Sequence, residues 1–161
     1  WEITWRGARD LPRDEFDRYR NTTLNNIFYL LHQRLKEPGM IFESRGMDIF
    51  DNQPVDIVDI TDSNDRVVTV YFNQSTHLPV RQSYKSRDKS GRGFNEEVTL
   101  FGRYQDAGGI QWPREIHRER NGDKIYEMYA TSVSMDRDLT DDLFSLPAPG
   151  ADPARRPRKK K

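Results

Sequence analysis

Between residues 41 and 135 apolar and polar side chains alternate in short runs, and each run is bounded by a cluster of turn-forming residues. This period of two is the mark of a β-strand, and it predicts strands near residues 41–50, 54–61, 66–73, 78–86, 95–105, 112–120 and 123–135. In Val67-Val68-Thr69-Val70-Tyr71-Phe72, the side chains of Val68, Val70 and Phe72 share one face and those of Val67, Thr69 and Tyr71 the other. Near the end of the run, Ile125, Tyr129 and Val133 oppose Tyr126, Met128 and Ala130. A sheet with a single buried face would be polar on the second; here the second face is mixed and aromatic, so something covers it or binds to it.

The connections have hairpin chemistry. Asp51-Asn52-Gln53 and Asp62-Ser63-Asn64-Asp65 are turns, and Asn121-Gly122-Asp123 contains the Asn-Gly pair that suits a two-residue loop. Lys85 to Gly93 is longer and polar, and is expected to be a mobile loop.

Before residue 41 the grammar differs. Trp1, Ile3 and Trp5 alternate, which predicts one short strand over Trp1 to Arg6, and Pro12 followed by Asp14 and Glu15 starts a helical segment. Leu24, Ile27, Phe28, Leu31 and Leu35 fall on one helical stripe, with Asn21 and Thr22 as caps and Lys36-Glu37-Pro38-Gly39 as the stop. Such a helix needs an apolar surface, and the sheet is the candidate. After Met135, Thr140 can cap a short turn that lets Leu143, Phe144 and Leu146 pin the chain to the core. Beyond Pro147 the composition predicts a disordered tail. The expected architecture is therefore α+β, an antiparallel sheet of consecutive hairpins with a helix on one face, in a single domain 1–147 followed by a basic tail 148–161.

Composition narrows the class. The chain has 161 residues, which suits one domain. It contains no cysteine, so disulfides, thiolate metal sites and cysteine nucleophiles are excluded. No apolar run is long enough for a transmembrane helix, and Trp1-Glu2-Ile3-Thr4-Trp5 lacks the features of a signal peptide. Because the first residues already alternate like a strand, a part preceding Trp1, with a signal, is expected. The formal charge of zero hides an asymmetry: Arg155, Arg156, Arg158 and Lys159 to Lys161 carry much of the positive charge, leaving the body mildly acidic. An acidic body beside a bare basic tail does not fit a nucleic-acid-binding domain, so no nucleic-acid partner is expected.

Catalytic machinery is not evident. His32, His77 and His117 have no metal-ligand spacing, and the carboxylates lie in turns and alternating strands where nothing selects a pair. No nucleophile elbow, phosphate loop or dinucleotide fingerprint occurs. Asn21-Thr22-Thr23 and Asn73-Gln74-Ser75 match the glycosylation acceptor, a pattern that arises often by chance. No enzymatic activity, cofactor or metal is expected.

A series of phrases adds a further pointer. Gln53-Pro54-Val55-Asp56-Ile57-Val58 follows a tight turn, and Val67 to Asn73 leads into Ser75-Thr76-His77-Leu78-Pro79-Val80-Arg81. Tyr104-Gln105-Asp106 precedes Gly109-Ile110-Gln111-Trp112-Pro113, then come Thr131-Ser132-Val133 and a closing Leu139 to Pro147 with Phe144. In order and spacing, residues 41–147 resemble the outer-membrane lipoprotein-sorting (LolA-like) superfamily of bacterial envelope proteins. The resemblance implies a half-barrel curved round helices, whose concave apolar side accepts acyl chains or lipidated proteins, in the periplasm or at the outer membrane. It also implies that the chain starts near the middle of the usual domain, so that the family's first strands and their ligand-facing basic residue have no counterpart.

Together these readings predict a non-enzymatic envelope domain that holds a lipid, an acyl chain or a lipidated protein, with Tyr71, Phe101, Tyr126 and Met128 as candidate ligand contacts. An envelope protein partner is the alternative, met by a sheet edge or the loop 85–93. A hydrolase would need a histidine within hydrogen-bond reach of a carboxylate inside a cleft.

Overall fold

The computed structural model describes residues 2–88, 90–134, 140 and 145. Thr22–Met135 form one compact unit, and residues 1–21 belong to a second. In that second unit, β1 (Glu2–Thr4) and β2 (Gly7–Arg9) pair as a tight hairpin, with Glu2 opposite Arg9 and Thr4 opposite Gly7. The single strand expected over Trp1 to Arg6 is thus two strands. Gly7 has φ +105, which only glycine adopts readily, so the chain reverses before it. Helix α1 (Arg13–Leu24) comes next, with Asp14 and Glu15 in its first turn and Arg18 paired with both.

The main unit is a seven-stranded antiparallel meander. Its strands are β3 (Ile41–Phe50), β4 (Gln53–Thr61), β5 (Val67–Asn73), β6 (Pro79–Arg87), β7 (Phe94–Asp106), β8 (Gln111–Arg120) and β9 (Asp123–Tyr129), hydrogen-bonded in that order. The expected strands are all present, most within a residue of the predicted limits. Phe50 opposite Gln53 and Arg120 opposite Asp123 leave two-residue loops. In both loops the central residues have positive φ, as a type I′ hairpin requires (Asp51 +49, Asn52 +57; Asn121 +52, Gly122 +85).

Two strand limits differ from expectation. β9 ends at Tyr129 rather than at 135: beyond it the Ala130 N–H still donates to the Arg114 carbonyl at 2.7 Å, but Pro113 has no N–H to give, and the Arg114 guanidinium takes the carbonyls of Ala130 and Thr131 at 2.8 and 2.9 Å. The loop expected from Lys85 is shorter, since β6 runs to Arg87. The Asp88 carboxylate ties the shortened loop, accepting from the Ser90 hydroxyl and the Arg92 backbone N–H, and it is held below the usual carboxylate range chiefly by Ser90. The expected clamp of Leu143, Phe144 and Leu146, and the tail 148–161, lie outside the described residues.

The helix expected from Leu24 to Leu35 is broken at Asn25-Asn26. Asn21 and Thr22 lie inside α1, and the cap is Asn26, whose side-chain oxygen accepts from the N–H groups of Phe28 and Tyr29. Helix α2 (Ile27–Tyr29) then continues into a π-helical turn, Leu30–Arg34. The wider turn rotates the buried face: Ile27, Leu30 and Arg34 point inward, while Leu31 and Leu35 are exposed. The N–H of Ile27 donates at 2.8 Å to the side-chain oxygen of Gln82, a buried residue of β6. A helix start on an apolar sheet would otherwise leave that donor unsatisfied.

The core forms where this helical segment meets the centre of the sheet. Ile27 and Leu30 pack with Ile60, Val68, Val70, Tyr84 and Phe101, with Phe28, Val58, Phe72 and Ile116 around them. The pairings Ile60 opposite Val68 and Phe101 opposite Ile116 put these side chains on one face of the sheet. Among the described residues, an ion-pair network closes the rim of this core. The Asp62 carboxylate receives Arg34 at 2.8 Å and Arg66 at 2.6 Å, together with the backbone N–H groups of Asn64 and Arg66. Arg34 also bonds Glu37 and the carbonyl of Leu24. The hydrogen bond to Glu37 outweighs burial and, with Asp62, holds the guanidinium charged more firmly than usual.

Candidate functional site

The opposite face of the sheet carries a groove. Leu100 opposite His117 and Gly102 opposite Glu115 flank the core pair Phe101 and Ile116, so by the period of two they point away from α2. The groove has a volume of about 810 Å³. Phe50, Leu78, Val80 and Leu100 supply its apolar lining, with Phe101 and Tyr104 behind them; Asp51, Arg103 and Glu115 supply charge, and His117 lines it as well.

Each wall is fixed by identifiable contacts. Phe50 leans on Tyr71 with ring centroids 5.9 Å apart, and the Arg81 guanidinium lies 4.8 Å from the centre of the Tyr71 ring. The loop after β5 is organised by buried Asn73. Its side-chain oxygen accepts from the N–H groups of Ser75 and Thr76, and its amide donates to Gln53. His77 completes the reversal with φ +58. Because the Asn73 amide is buried and bonded, the second acceptor tripeptide is closed to modification in the folded chain. The Tyr104 hydroxyl donates to the carbonyl of Pro79, and burial pushes its pKa upward.

The charged rim is a chain of contacts across three strands. Arg103 Nε meets Glu115 at 3.0 Å, Glu115 meets His117 Nε2 at 2.8 Å, and His117 Nδ1 meets Glu127 at 3.2 Å. Lys124 and the Tyr129 hydroxyl also donate to Glu127, and these two bonds, Lys124 foremost, hold that carboxyl below its ordinary range. Arg103 sits mid-strand with φ +51, a conformation unusual for a residue bearing a Cβ.

This places a histidine within reach of a carboxylate inside a cleft, as a hydrolase would require. Both ring nitrogens, however, face carboxylates, and the hydroxyls lining the groove are committed: Thr76 to Asn73 and Tyr104 to Pro79. No serine is among the described lining residues, and no group of three or more His, Asp or Glu among the described residues could hold a metal ion. The geometry supplies a base without a nucleophile beside it.

The four residues singled out from the sequence do not come together. Tyr71 is on the groove face beside Phe50. Phe101 is buried in the core, edge-on to Phe28 at 5.1 Å, and only borders the groove. Tyr126 and Met128 pair with Arg118 and Ile116, which puts them on the core face at the far side of the sheet. Sequence reasoning missed Leu100, Arg103, Glu115 and His117. The alternation Glu115, His117, two apart on one face of a strand, was the available signal.

No family model matches the sequence, and no curated protein matches it. A solved structure described as an outer membrane lipoprotein-sorting protein domain, from Vibrio parahaemolyticus, is similar over 65% of this chain and 46% of its own, with 15% identity and a TM-score of 0.49. A DUF1329 family protein from Desulfovibrio piger ATCC 29098 is similar over 70% of this chain and 50% of its own, with 19% identity and a TM-score of 0.43. The chain spans about half the length of the structures it matches. No helix among the described residues is long and apolar enough to cross a membrane.

Proposed function

We propose that this chain is a non-enzymatic binding domain of the bacterial cell envelope, which takes the hydrocarbon chain of a lipid or a lipidated protein into the groove on the face of its sheet opposite α2. The observation that carries the reading is the groove itself. Its volume of about 810 Å³ lies within the range of small-molecule sites, and its lining sets the apolar side chains of Phe50, Leu78, Val80 and Leu100 beside a few polar and charged groups, Arg103, Glu115 and His117 among them. The sequence resemblance supports the ligand class and the compartment. Each methylene buried contributes about 0.8 kcal/mol, so a chain of moderate length binds measurably.

Titration of detergent-free protein with a fluorescent fatty acid should show saturable uptake, and native mass spectrometry should show co-purified lipid. Leu100→Lys, which sets a charge on the groove wall, should weaken uptake by about tenfold or more without lowering the thermal midpoint. Absence of both uptake and co-purified lipid in the unaltered chain would refute the reading.

A second reading is favoured by one feature. β3 is an edge strand, and its Phe42, Met47 and Ile49 lie exposed in one row. An extended peptide of a partner protein adding a strand there would cover that row. On this reading Met47→Lys with Ile49→Lys abolishes partner capture and leaves fatty-acid uptake intact; capture that survives the double substitution rejects it.

A further inference from the structure

Resting on the groove reading, we infer that Arg103 is the headgroup contact of the site, and that the preferred ligand is an amphiphile ending in a carboxylate or a phosphate. Three observations converge on this residue. Arg103 lines the groove, and its side chain is 77% exposed, so its guanidinium is open to a ligand. Glu115 is its one ion-pair partner among the described residues and engages it through Nε, leaving the terminal edge of the guanidinium fork for a further acceptor. Its backbone is held at φ +51 in the middle of β7, where an ordinary strand residue would serve the sheet better. Strain of this kind is kept where a side chain must be aimed.

The support behind Arg103 is built in layers. Glu115 divides its charge between Arg103 and His117, and Glu127 faces His117 from β9 while Lys124 and Tyr129 hold it in turn. Glu115 therefore orients the guanidinium without monopolising it, which is the arrangement that favours a bidentate anion contact. Asp51 at the same rim repels anions at a distance, so preference must come from direct contact with the fork rather than from the field of the site.

The test compares dodecanoic acid, dodecyl phosphate and 1-dodecanol by calorimetric titration of the full chain. The two anionic probes should bind about tenfold more tightly than the alcohol, the gain of a charge-assisted hydrogen-bond pair. The better of the two identifies whether carboxylate or phosphate is the natural head. Arg103→Gln should erase the preference, and Arg103→Lys should retain only part of it. Arg103→Gly should erase the preference while the thermal midpoint holds or rises, because glycine accepts the positive φ. Equal binding of acid and alcohol by the unaltered chain, or a preference that survives Arg103→Gln, overturns the inference. Failure of all three probes to bind instead overturns the groove reading beneath it.

Discussion

Asp62→Ala should destabilise the main unit by about 3–5 kcal/mol, the cost of breaking a buried ion pair by removing one of its members. The magnitude reflects how many groups the carboxylate holds. Arg34 and Asp62 have side chains only 4% and 3% exposed, and Asp62 also receives Arg66 and two backbone N–H groups of the turn between β4 and β5. Alanine removes all of these acceptors at once, so the π-helical turn loses its tie to the sheet. Against a typical domain stability of about 5–15 kcal/mol, the midpoint of urea unfolding should fall sharply at pH 7. Exchanging both partners, Arg34→Met with Asp62→Leu, should recover only part of the loss, because the apolar pair removes the buried Arg34 charge but still deprives Arg66 and the two turn N–H groups of their acceptor.

The same carboxylate sets an acid limit. Burial alone would raise its pKa, but hydrogen bonds from Arg66, Arg34 and the backbone overcome that and hold it far below the ordinary range. A depressed folded pKa stabilises the fold fully above the unfolded value of about 3.9, and the contribution is lost as pH falls below it toward the folded value. The stability difference between the unaltered chain and Asp62→Asn should therefore be constant near neutrality and shrink below about pH 4. A difference that stays constant down to pH 2 would show that the charge of Asp62 contributes nothing.

Local chemistry made most of the sheet legible. Val68, Val70 and Phe72 advertise a buried face through a period of two, and Asp51-Asn52 and Asn121-Gly122 adopt positive φ because these residues tolerate it. Most of what escaped depends on partners far along the chain. Arg34 at a core position makes sense only with Asp62, 28 residues away, and the stripe through Leu31 and Leu35 fits a regular helix until the π-helical turn rotates it. The groove is less legible still, since Arg103 meets Glu115 only through the β7–β8 register. Large apolar and aromatic residues on strands drew attention to Tyr126 and Met128, but composition does not reveal which face of the sheet the helix will take.

Phe101 separates core from groove, and its truncation should distinguish the two roles. Phe101→Ala is expected to cost about 3–5 kcal/mol, because it removes a buried ring from a cluster formed by Ile27, Leu30, Ile60, Val68, Val70 and Tyr84. The edge-on contact with Phe28, at 5.1 Å and an interplanar angle of 78°, accounts for about 0.5–1.5 kcal/mol of that. The space left behind borders the groove, so at temperatures where the variant remains folded it should take up fatty acid at least as well as the unaltered chain, with tolerance for bulkier chains. Leu100→Lys should behave in the opposite way, leaving the midpoint in place and losing uptake. If Phe101→Ala instead keeps its stability and loses binding, Phe101 is a ligand contact and the wall between core and groove lies elsewhere. The paired measurement of unfolding midpoint and fatty-acid affinity on the two variants decides which side of the sheet does the holding.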